Sequence, residues 1–138
     1  MRRARETAEI VAAPRNLSIV TDDGLREVDL GSWSGLTRTE VEKLFPEGFR
    51  RWLDYGRGWE NGETYEQMGE RVVATLVGLA AKHPGGRILA VTHAGPVRAA
   101  AATSLGVTIG EARRLTPTVA NCAVAAVAIQ GGRLRPID

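Results

Sequence analysis

The stretch Ile88-Leu89-Ala90-Val91-Thr92-His93-Ala94-Gly95-Pro96-Val97-Arg98 decides the fold. Residues 88–92 form a near-continuous apolar run, which is typical of a strand buried on both faces of a sheet. Pro96 stands where a helix would begin, because proline fits the first turn of a helix. His93 is therefore predicted at the carboxyl end of a buried strand, just before a helix N-terminus. Ligands of α/β proteins gather at this position.

Helix signals surround this stretch. Thr37, Thr64 and Thr108 are each followed three residues later by Glu or Gln, a pattern that predicts a capping box and a helix start. Residues 2–13 predict another helix, which Pro14 ends. The residues after Thr64 repeat apolar side chains at helical spacing, so this is the strongest helix prediction in the chain.

The end of the chain predicts a hairpin. Residues 123–129 alternate toward a strand, Gly131-Gly132 makes a tight turn, and residues 134–137 return as the partner strand. Strands that alternate with helices indicate a layered α/β fold. A length of 138 residues is about that of one domain.

Residues 45–62 are predicted to be a long irregular segment, with Pro46, several glycines and two tryptophans. Loops of that length in compact domains are usually functional lids or disordered, and the tryptophans favour a lid. We expect substrate selectivity to lie here, and a merely packed loop is an equally good interpretation. The candidate lid residues are Arg50, Trp52, Arg57 and Trp59.

His93 is the leading candidate for chemistry. The free amides beyond Gly95 can bind an anion, and a histidine that donates a hydrogen bond to a phosphate oxygen fits this position. The structural alternative is a histidine satisfied by a neighbouring carbonyl oxygen. Three further residues each have an ordinary interpretation. Arg3 would lie on a helix surface, Glu27 would be a solvent-exposed loop charge, and Glu63 would belong to a helix cap.

Taken in order, these residues form a set that resembles the histidine phosphatase superfamily, the phosphoglycerate mutase-like phosphatases. The resemblance implies an α/β fold, a three-layer α/β/α sandwich of the phosphoglycerate mutase-like type. The motifs that carry it are Arg3-Ala4 with Thr7-Ala8, Leu25-Arg26-Glu27 with Gly31 and Trp33, Gly62-Glu63-Thr64, and Val91-Thr92-His93-Ala94-Gly95.

The resemblance also implies roles for these residues. Arg3 would clamp the phosphoryl oxygens, Glu27 would donate a proton to the leaving group, and His93 would be the second, phosphate-binding histidine. Ala94, in the same phosphate-binding loop, stands where many relatives have glycine. Glu63 matches an element of the family that is less sharply tied to chemistry. The family works without a metal, so we expect no metal and no cofactor.

The front of the chain departs from the family. The family's nucleophile is a histidine in an Arg-His-Gly motif at the end of its first strand, and nothing here matches it. The other histidine, His83, lies in a polar Pro-Gly turn. We therefore expect residues 1–138 to be a single histidine-phosphatase-like domain that is N-terminally incomplete and lacks the first strand or strands. In-line phosphoryl transfer needs a nucleophile, which clamps and acids only assist.

Composition excludes several classes. The net charge is +2, and charged residues of both signs are interspersed, with 5% aromatic residues. This is unlike a nucleic-acid binder, which shows a basic stripe with stacking aromatics. Neither a membrane span nor a signal peptide is predicted. A lone cysteine, Cys122, favours a reducing cytoplasm. We expect a small phosphorylated metabolite as partner and leave a homodimer open.

Other phosphate chemistries fail on sequence. Cys122 is followed by apolar residues without an arginine at loop spacing, so a cysteine-phosphatase loop is excluded. The sequence Gly31-Ser32-Trp33-Ser34-Gly35 has tryptophan where a serine elbow needs its nucleophile. No glycine-rich segment with Lys-Ser or Lys-Thr forms a nucleotide phosphate loop.

Two functions follow as hypotheses. The first is a phosphomonoester hydrolase that works through a phosphohistidine when complete. The second is an inactive phosphate-binding remnant or paralogue. A phosphoglycerate mutase is a further alternative, which the short lid disfavours because a mutase must exclude water.

Overall fold

A computed structural model describes residues 1–137. The helices are α1 (Arg2–Ala12), α2 (Arg38–Leu44), α3 (Pro46–Leu53), α4 (Tyr65–Lys82), α5 (Ala94–Leu105) and α6 (Ile109–Leu115), and the strands are β1 (Val127–Gln130) and β2 (Arg133–Pro136). Short 3₁₀ turns lie at Ala13–Arg15, Asp23–Leu25 and Gly31–Trp33.

The three predicted capping boxes are confirmed. At the start of α4, the Thr64 hydroxyl accepts a 3.1 Å hydrogen bond from the Gln67 amide, and the Gln67 side chain accepts one of 2.8 Å from the Thr64 amide. Thr37 and Thr108 form the same reciprocal pair at α2 and α6. Each box satisfies two amides that a helix start would otherwise leave unpaired.

The segment predicted to be irregular contains a helix. Residues 46–53 form α3, so the prediction of an irregular segment over residues 45–62 is wrong for this part. Pro46 occupies the first turn, Glu47 follows it, and Arg50 and Arg51 lie in the last turn. A proline at the start, an acid near the N-terminus and bases near the C-terminus all favour a helix.

Two apolar clusters form the core. The first joins Trp33, Val41, Phe49 and Trp59, with the rings of Trp33 and Trp59 in an edge contact at 5.7 Å. The second lies between α4 and α5 and joins Met68, Val72 and Ala99. It brings the first turns of α4 and α5 side by side, which is where the candidate site lies.

The predicted buried strand at residues 88–92 is not observed. This run has no assigned secondary structure and belongs to no described ladder, and Ile88 and Leu89 are 45% and 64% exposed. A strand is buried on both faces only when neighbouring strands flank it and helices cover the sheet. Within residues 1–137 the sheet is the pair β1 and β2.

The C-terminal hairpin is confirmed, although β1 begins later than predicted. Strands β1 and β2 pair antiparallel, with Val127 opposite Pro136 and Gln130 opposite Arg133. Gly131 and Gly132 both have positive φ, at 55° and 73°, as a two-residue hairpin turn requires. No helix among residues 1–137 has the length and apolarity needed to cross a membrane.

Candidate active site

A carboxylate meets a helix N-terminus at the centre of the site. The Glu27 Oε2 atom accepts a 3.2 Å hydrogen bond from the Gly95 amide in the first turn of α5. Its Oε1 atom accepts a 2.9 Å bond from the Val28 amide. The amides at a helix N-terminus attract anions. The structure thus brings together Glu27 and the loop after residue 92, which the sequence placed 66 positions apart.

Glycine is required at position 95. A Cβ atom there would lie 2.1 Å from Glu27 Oε1 and 2.9 Å from the Met68 sulfur. Both distances are shorter than any normal contact. The absence of a side chain on Gly95 is therefore what allows the carboxylate to reach the helix amide.

His93 is the N-cap residue of α5, and it is 8% exposed. Its side chain does not cap its own helix. Burial lowers the pKa of His93, the positive charge of Arg3 lowers it further, and the Glu27 carboxylate opposes both. The imidazole is therefore predominantly neutral near pH 7, with one nitrogen able to donate and the other to accept.

Arg3 approaches the site from α1. Its guanidinium is exposed and acts on His93 through its charge. The Arg3 carbonyl oxygen accepts a 2.9 Å bond from the Thr7 hydroxyl one turn later. Ala94, the first residue of α5, is exposed beside His93. Arg3, Glu27, His93 and Ala94 therefore lie around one helix N-terminus.

The loop that carries Glu27 is held by a partly buried ion pair. Arg71 grips Glu63 through two bonds, Nε to Oε1 at 2.8 Å and Nη2 to Oε2 at 2.7 Å. The Arg71 Nη1 atom also donates to the carbonyl oxygens of Gly24 and Arg26, at 2.7 and 3.2 Å. The hydrogen bonds from Arg71 hold the pKa of Glu63 below its usual value.

Two more bonds hold this loop. The Asp29 amide donates to Glu63 Oε2 at 3.3 Å, and the Thr92 hydroxyl donates to the Leu25 carbonyl oxygen. Glu63 therefore helps to position Glu27 indirectly, by holding the loop that carries it. Sequence reasoning missed Arg71, because Glu63 precedes the helix and the spacing of eight residues between the two matches no helical contact pattern.

The candidate lid residues have different surroundings in the structure. Trp59 is 2% exposed within the core, and its indole nitrogen donates to the Glu63 carbonyl oxygen at 2.9 Å. Arg57 donates to the Asn61 carbonyl oxygen. Arg50 lies exposed on α3. Trp52 is half-buried and stacks on the Phe49 ring at 5.7 Å. The packed alternative therefore holds for Trp59, and the lid remains a prediction for the others.

A buried arginine that the sequence did not single out lies beside Tyr65. Arg113 is 8% exposed, and its guanidinium lies 4.2 Å from the centre of the Tyr65 ring. It donates to the Tyr55 carbonyl oxygen at 2.6 Å. Burial raises the pKa of Tyr65, and the charge of Arg113 opposes that shift. Arg113 therefore joins α6 to the turn after α3. A contact between residues so far apart in the sequence leaves no local pattern from which it could be predicted.

Three observations concern other reactive side chains in the described part of the chain. Residues 1–137 contain no group of three or more His, Cys, Asp or Glu side chains placed to hold a metal ion. Cys122 is exposed. His83 is exposed at the C-cap of α4.

Comparisons with known proteins agree with this geometry. The profile of the histidine phosphatase superfamily (branch 1) matches residues 1–137. Phosphoserine phosphatase 1 of Hydrogenobacter thermophilus is 31% identical over 113 residues, which cover 80% of this chain and 54% of that protein. Phosphoglycerate mutase-like protein 4 of Arabidopsis thaliana is 36% identical over 105 residues, covering 71% and 44%. The chain thus spans about half the length of these curated relatives.

Solved structures share the fold. Bacillus stearothermophilus YhfR superposes with a TM-score of 0.85 at 27% identity, over 97% of this chain and 67% of that one. The mycobacterial glucosyl-3-phosphoglycerate phosphatase superposes with a TM-score of 0.71 at 26% identity, over 83% of this chain and 58% of that one. The predicted α/β fold of the phosphoglycerate mutase-like type is confirmed. The match over residues 1–137 shows that this chain belongs to the histidine phosphatase superfamily.

Proposed function

We propose that this chain forms the phosphoryl-binding and proton-donating part of a phosphatase that acts on small phosphorylated metabolites. The observation that carries the proposal is the Glu27 carboxylate at the α5 N-terminus, beside the buried His93. The same helix end offers amides to a phosphoryl group. Family relatives with phosphatase names support the reaction class.

Each residue has a role in this proposal. His93 donates a hydrogen bond to a phosphoryl oxygen, and Arg3 pairs with the phosphoryl charge in the two-bond manner that guanidinium groups favour. Glu27 protonates the leaving oxygen, a contribution of about 10²–10⁴-fold for general acid catalysis. Arg71 and Glu63 hold the Glu27 loop in position and touch no substrate.

We further propose that the nucleophile is a histidine encoded upstream of Met1, which forms a phosphohistidine intermediate. Two observations support this proposal. The curated relatives are about twice as long as their match to this chain. The apolar run at residues 88–92 lies outside the described sheet and exposes Ile88 and Leu89, as a strand without its neighbouring strand would.

The test joins gene and enzyme. The DNA upstream of Met1 is read in frame for an Arg-His-Gly codon run, and the extended protein is assayed with p-nitrophenyl phosphate at acidic pH without added metal. We expect hydrolysis that His93→Gln removes and that His83→Gln, the matched control, retains. A stop codon immediately upstream, or full activity in His93→Gln, contradicts the proposal.

A second candidate function is phosphate binding without turnover. The observation that favours it is that His83, the other histidine of the chain, is exposed at the far end of α4. On this hypothesis, phosphate raises the melting temperature of the chain through Arg3 and His93 by linkage. The upstream-extended protein would then show no hydrolysis.

A further inference from the structure

Arg113 is a buried cation that contacts neutral groups. Its guanidinium is 8% exposed, and its partners within residues 1–137 are aromatic rings and backbone carbonyl oxygens. An apolar side chain of similar volume would stabilise such a position as well or better, because it carries no charge that must lose its water. An arginine adds direction instead, since its planar fork binds acceptors at fixed angles while its face lies on a ring. These properties indicate that Arg113 holds other groups in place.

Helix α6 is fixed against α4 at a point one turn before Arg113. A Cβ atom on Gly69 would lie 2.7 Å from the Ile109 Cδ1 atom, so the two helices can approach this closely only because position 69 is a glycine. Arg113 lies four residues after Ile109, and Tyr65 lies four residues before Gly69. Residues four apart share one face of a helix. The same helix contact therefore brings the Arg113 guanidinium onto the Tyr65 ring, 4.2 Å from its centre.

The same guanidinium binds the end of α3. Its Nη1 atom donates to the carbonyl oxygens of Tyr55 and Gly56 at 2.6 and 3.5 Å, and its Nη2 atom donates to that of Trp52 at 3.5 Å. The last carbonyl oxygens of a helix have no partner within the helix, and a cation beside them is favourable. Arg113 therefore joins three elements, α3, α4 and α6, through one side chain.

The half-buried Tyr65 side chain lies between this junction and the candidate site. Its ring also contacts the Trp59 ring edge-on, at 5.2 Å between centres. Tyr65 packs against the same two apolar clusters as Val28, the residue that follows Glu27. Burial raises the pKa of Tyr65, and the nearby Glu27 carboxylate adds to that rise. The phenol therefore stands on the Glu27 side of the site.

We propose that Arg113 is a positioning residue that sets the affinity for the organic part of a phosphomonoester, by holding the Tyr65 ring beside Glu27. Arg113 itself touches no substrate. This role rests on the proposed phosphatase function, in which the phosphoryl group lies at the α5 N-terminus and the organic part lies on the side of Glu27. A ring that is already fixed offers a contact surface that does not have to be ordered when substrate binds.

Two phosphonates separate the phosphoryl group from the organic part, because their P–C bond is not hydrolysed. Methylphosphonate carries the anionic head with the smallest organic group, and phenylphosphonate adds a ring. Their dissociation constants for the 138-residue chain are measured by calorimetry. The variants are Arg113→Met, which removes the charge and the donors, and Arg113→Lys, which keeps the charge without the planar fork. Arg114→Met, at the exposed neighbour on α6, is the matched control.

We expect both Arg113 variants to bind phenylphosphonate about fivefold more weakly, as the loss of one aromatic contact does, and to bind methylphosphonate within about twofold of the unsubstituted chain. Arg114→Met should change neither affinity. Tyr65→Leu should weaken phenylphosphonate binding to a similar extent. Because Arg113 acts through Tyr65, adding Arg113→Met to Tyr65→Leu should cause no further loss.

The outcomes separate the role of Arg113 from the function on which it rests. If Arg113→Met weakens both phosphonates equally, changes neither, or adds its full loss to that of Tyr65→Leu, the positioning role is overturned and the phosphoryl site stands. Full phenylphosphonate affinity in Arg113→Lys also overturns it, because charge alone would then suffice. Circular dichroism shows which variants fold. Arg113→Lys decides if Arg113→Met does not fold, and failure of both makes Arg113 a residue of stability only, which overturns the role as well. If the folded, unsubstituted chain binds neither phosphonate, the proposed phosphoryl site fails, and the role of Arg113 fails with it.

Discussion

Arg71 and Glu63 face each other with both guanidinium donors aligned on both carboxylate oxygens, at 2.8 and 2.7 Å. Their side chains are 18% and 11% exposed, so water screens the pair weakly. Because Arg71 also binds two carbonyl oxygens of the Glu27 loop, this ion pair joins α4 to the loop of the proposed proton donor.

Arg71→Met should lower the free energy of unfolding by about 1–3 kcal/mol, because the partly buried Glu63 carboxylate loses its two-bond partner and keeps only Arg26, 3.8 Å away. The control is Arg50→Met, whose exposed pair with Glu47 is 4.0 Å long and should contribute less than about 0.5 kcal/mol. Urea unfolding followed by tryptophan fluorescence measures both. Equal losses in the two variants would contradict the fastening role of Arg71.

Gly95→Ala should expel the Glu27 carboxylate, since the new Cβ would lie 2.1 Å from Oε1. We expect a loss of about 1–3 kcal/mol from overpacking, together with loss of hydrolysis by the upstream-extended protein. The control is Gly78→Ala in α4, where a Cβ meets nothing within 4 Å. That change should stabilise the helix by about 0.5–1 kcal/mol. Full activity in Gly95→Ala would sink the assignment of Glu27.

Stability should fall as the pH drops below 6.5, and His93 is one cause. Its pKa in the folded chain is lowered from 6.5 by burial and by Arg3. The unfolded chain therefore binds a proton first, so the stabilisation is complete above 6.5 and is lost as the pH falls through the folded-state pKa. His93→Gln should flatten this part of the pH profile of the melting temperature. His83→Gln should leave it unchanged.

Glu63 adds a second acid limb. Its pKa is lowered from 4.5 by Arg71, so its stabilisation is present above 4.5 and is lost as the pH falls through the lower folded-state value. The limb belongs to the ion pair, and Glu63→Gln should therefore remove it. If the stability of that variant still fell as steeply below pH 4.5, groups other than Glu63 would be responsible for the acid sensitivity.

Trp59 should behave as a core residue. Trp59→Ala is expected to cost about 3–5 kcal/mol, because the ring is 2% exposed and packs on Trp33 and Tyr65. Trp52→Ala, from the half-buried face of α3, should cost less and should change KM among phosphomonoesters if this face forms the lid. A neutral Trp59→Ala would return that residue to the lid.

The predictable parts of this fold were local. A capping box needs two side chains three residues apart, and a hairpin turn needs glycines at positive φ, so Thr64, Thr108 and Gly131 could be assigned from their neighbours alone. The grouping of Glu27 with His93 was predicted from the order of the motifs along the chain. The α3 helix was missed because glycines and tryptophans masked its proline start and its charge pattern.

Contacts between distant residues were out of reach. Arg71 and Arg113 bind carbonyl oxygens more than 40 positions away, and no periodicity records such partners. The run at residues 88–92 was misjudged for a different reason. Its apolar pattern indicates that the run favours a buried position in a sheet. The sheet described within residues 1–137 contains only β1 and β2, so no strand pairs with this run there.

Exposed apolar residues should make the 138-residue chain self-associate or melt at low temperature. Leu89→Lys should increase the soluble fraction more than Leu115→Lys, although Leu115 is the more exposed, because Leu89 lies in an apolar run outside the described sheet and Leu115 lies in a helix. Sedimentation and thermal melting test this. A sharp two-state transition above about 60 °C would contradict the prediction. The exposed apolar residues include Leu17, Ile19, Val20, Ile88 and Leu89.

The Thr92 hydroxyl connects the run at residues 88–92 to the loop that carries Glu27. It ties the end of the run to the Leu25 carbonyl oxygen, two residues before Glu27, while His93 follows directly on the other side. Residues 88–92 are thus linked to Glu27 on one side and to His93 on the other. Any strand that pairs with this run would bear on the positions of both residues at once.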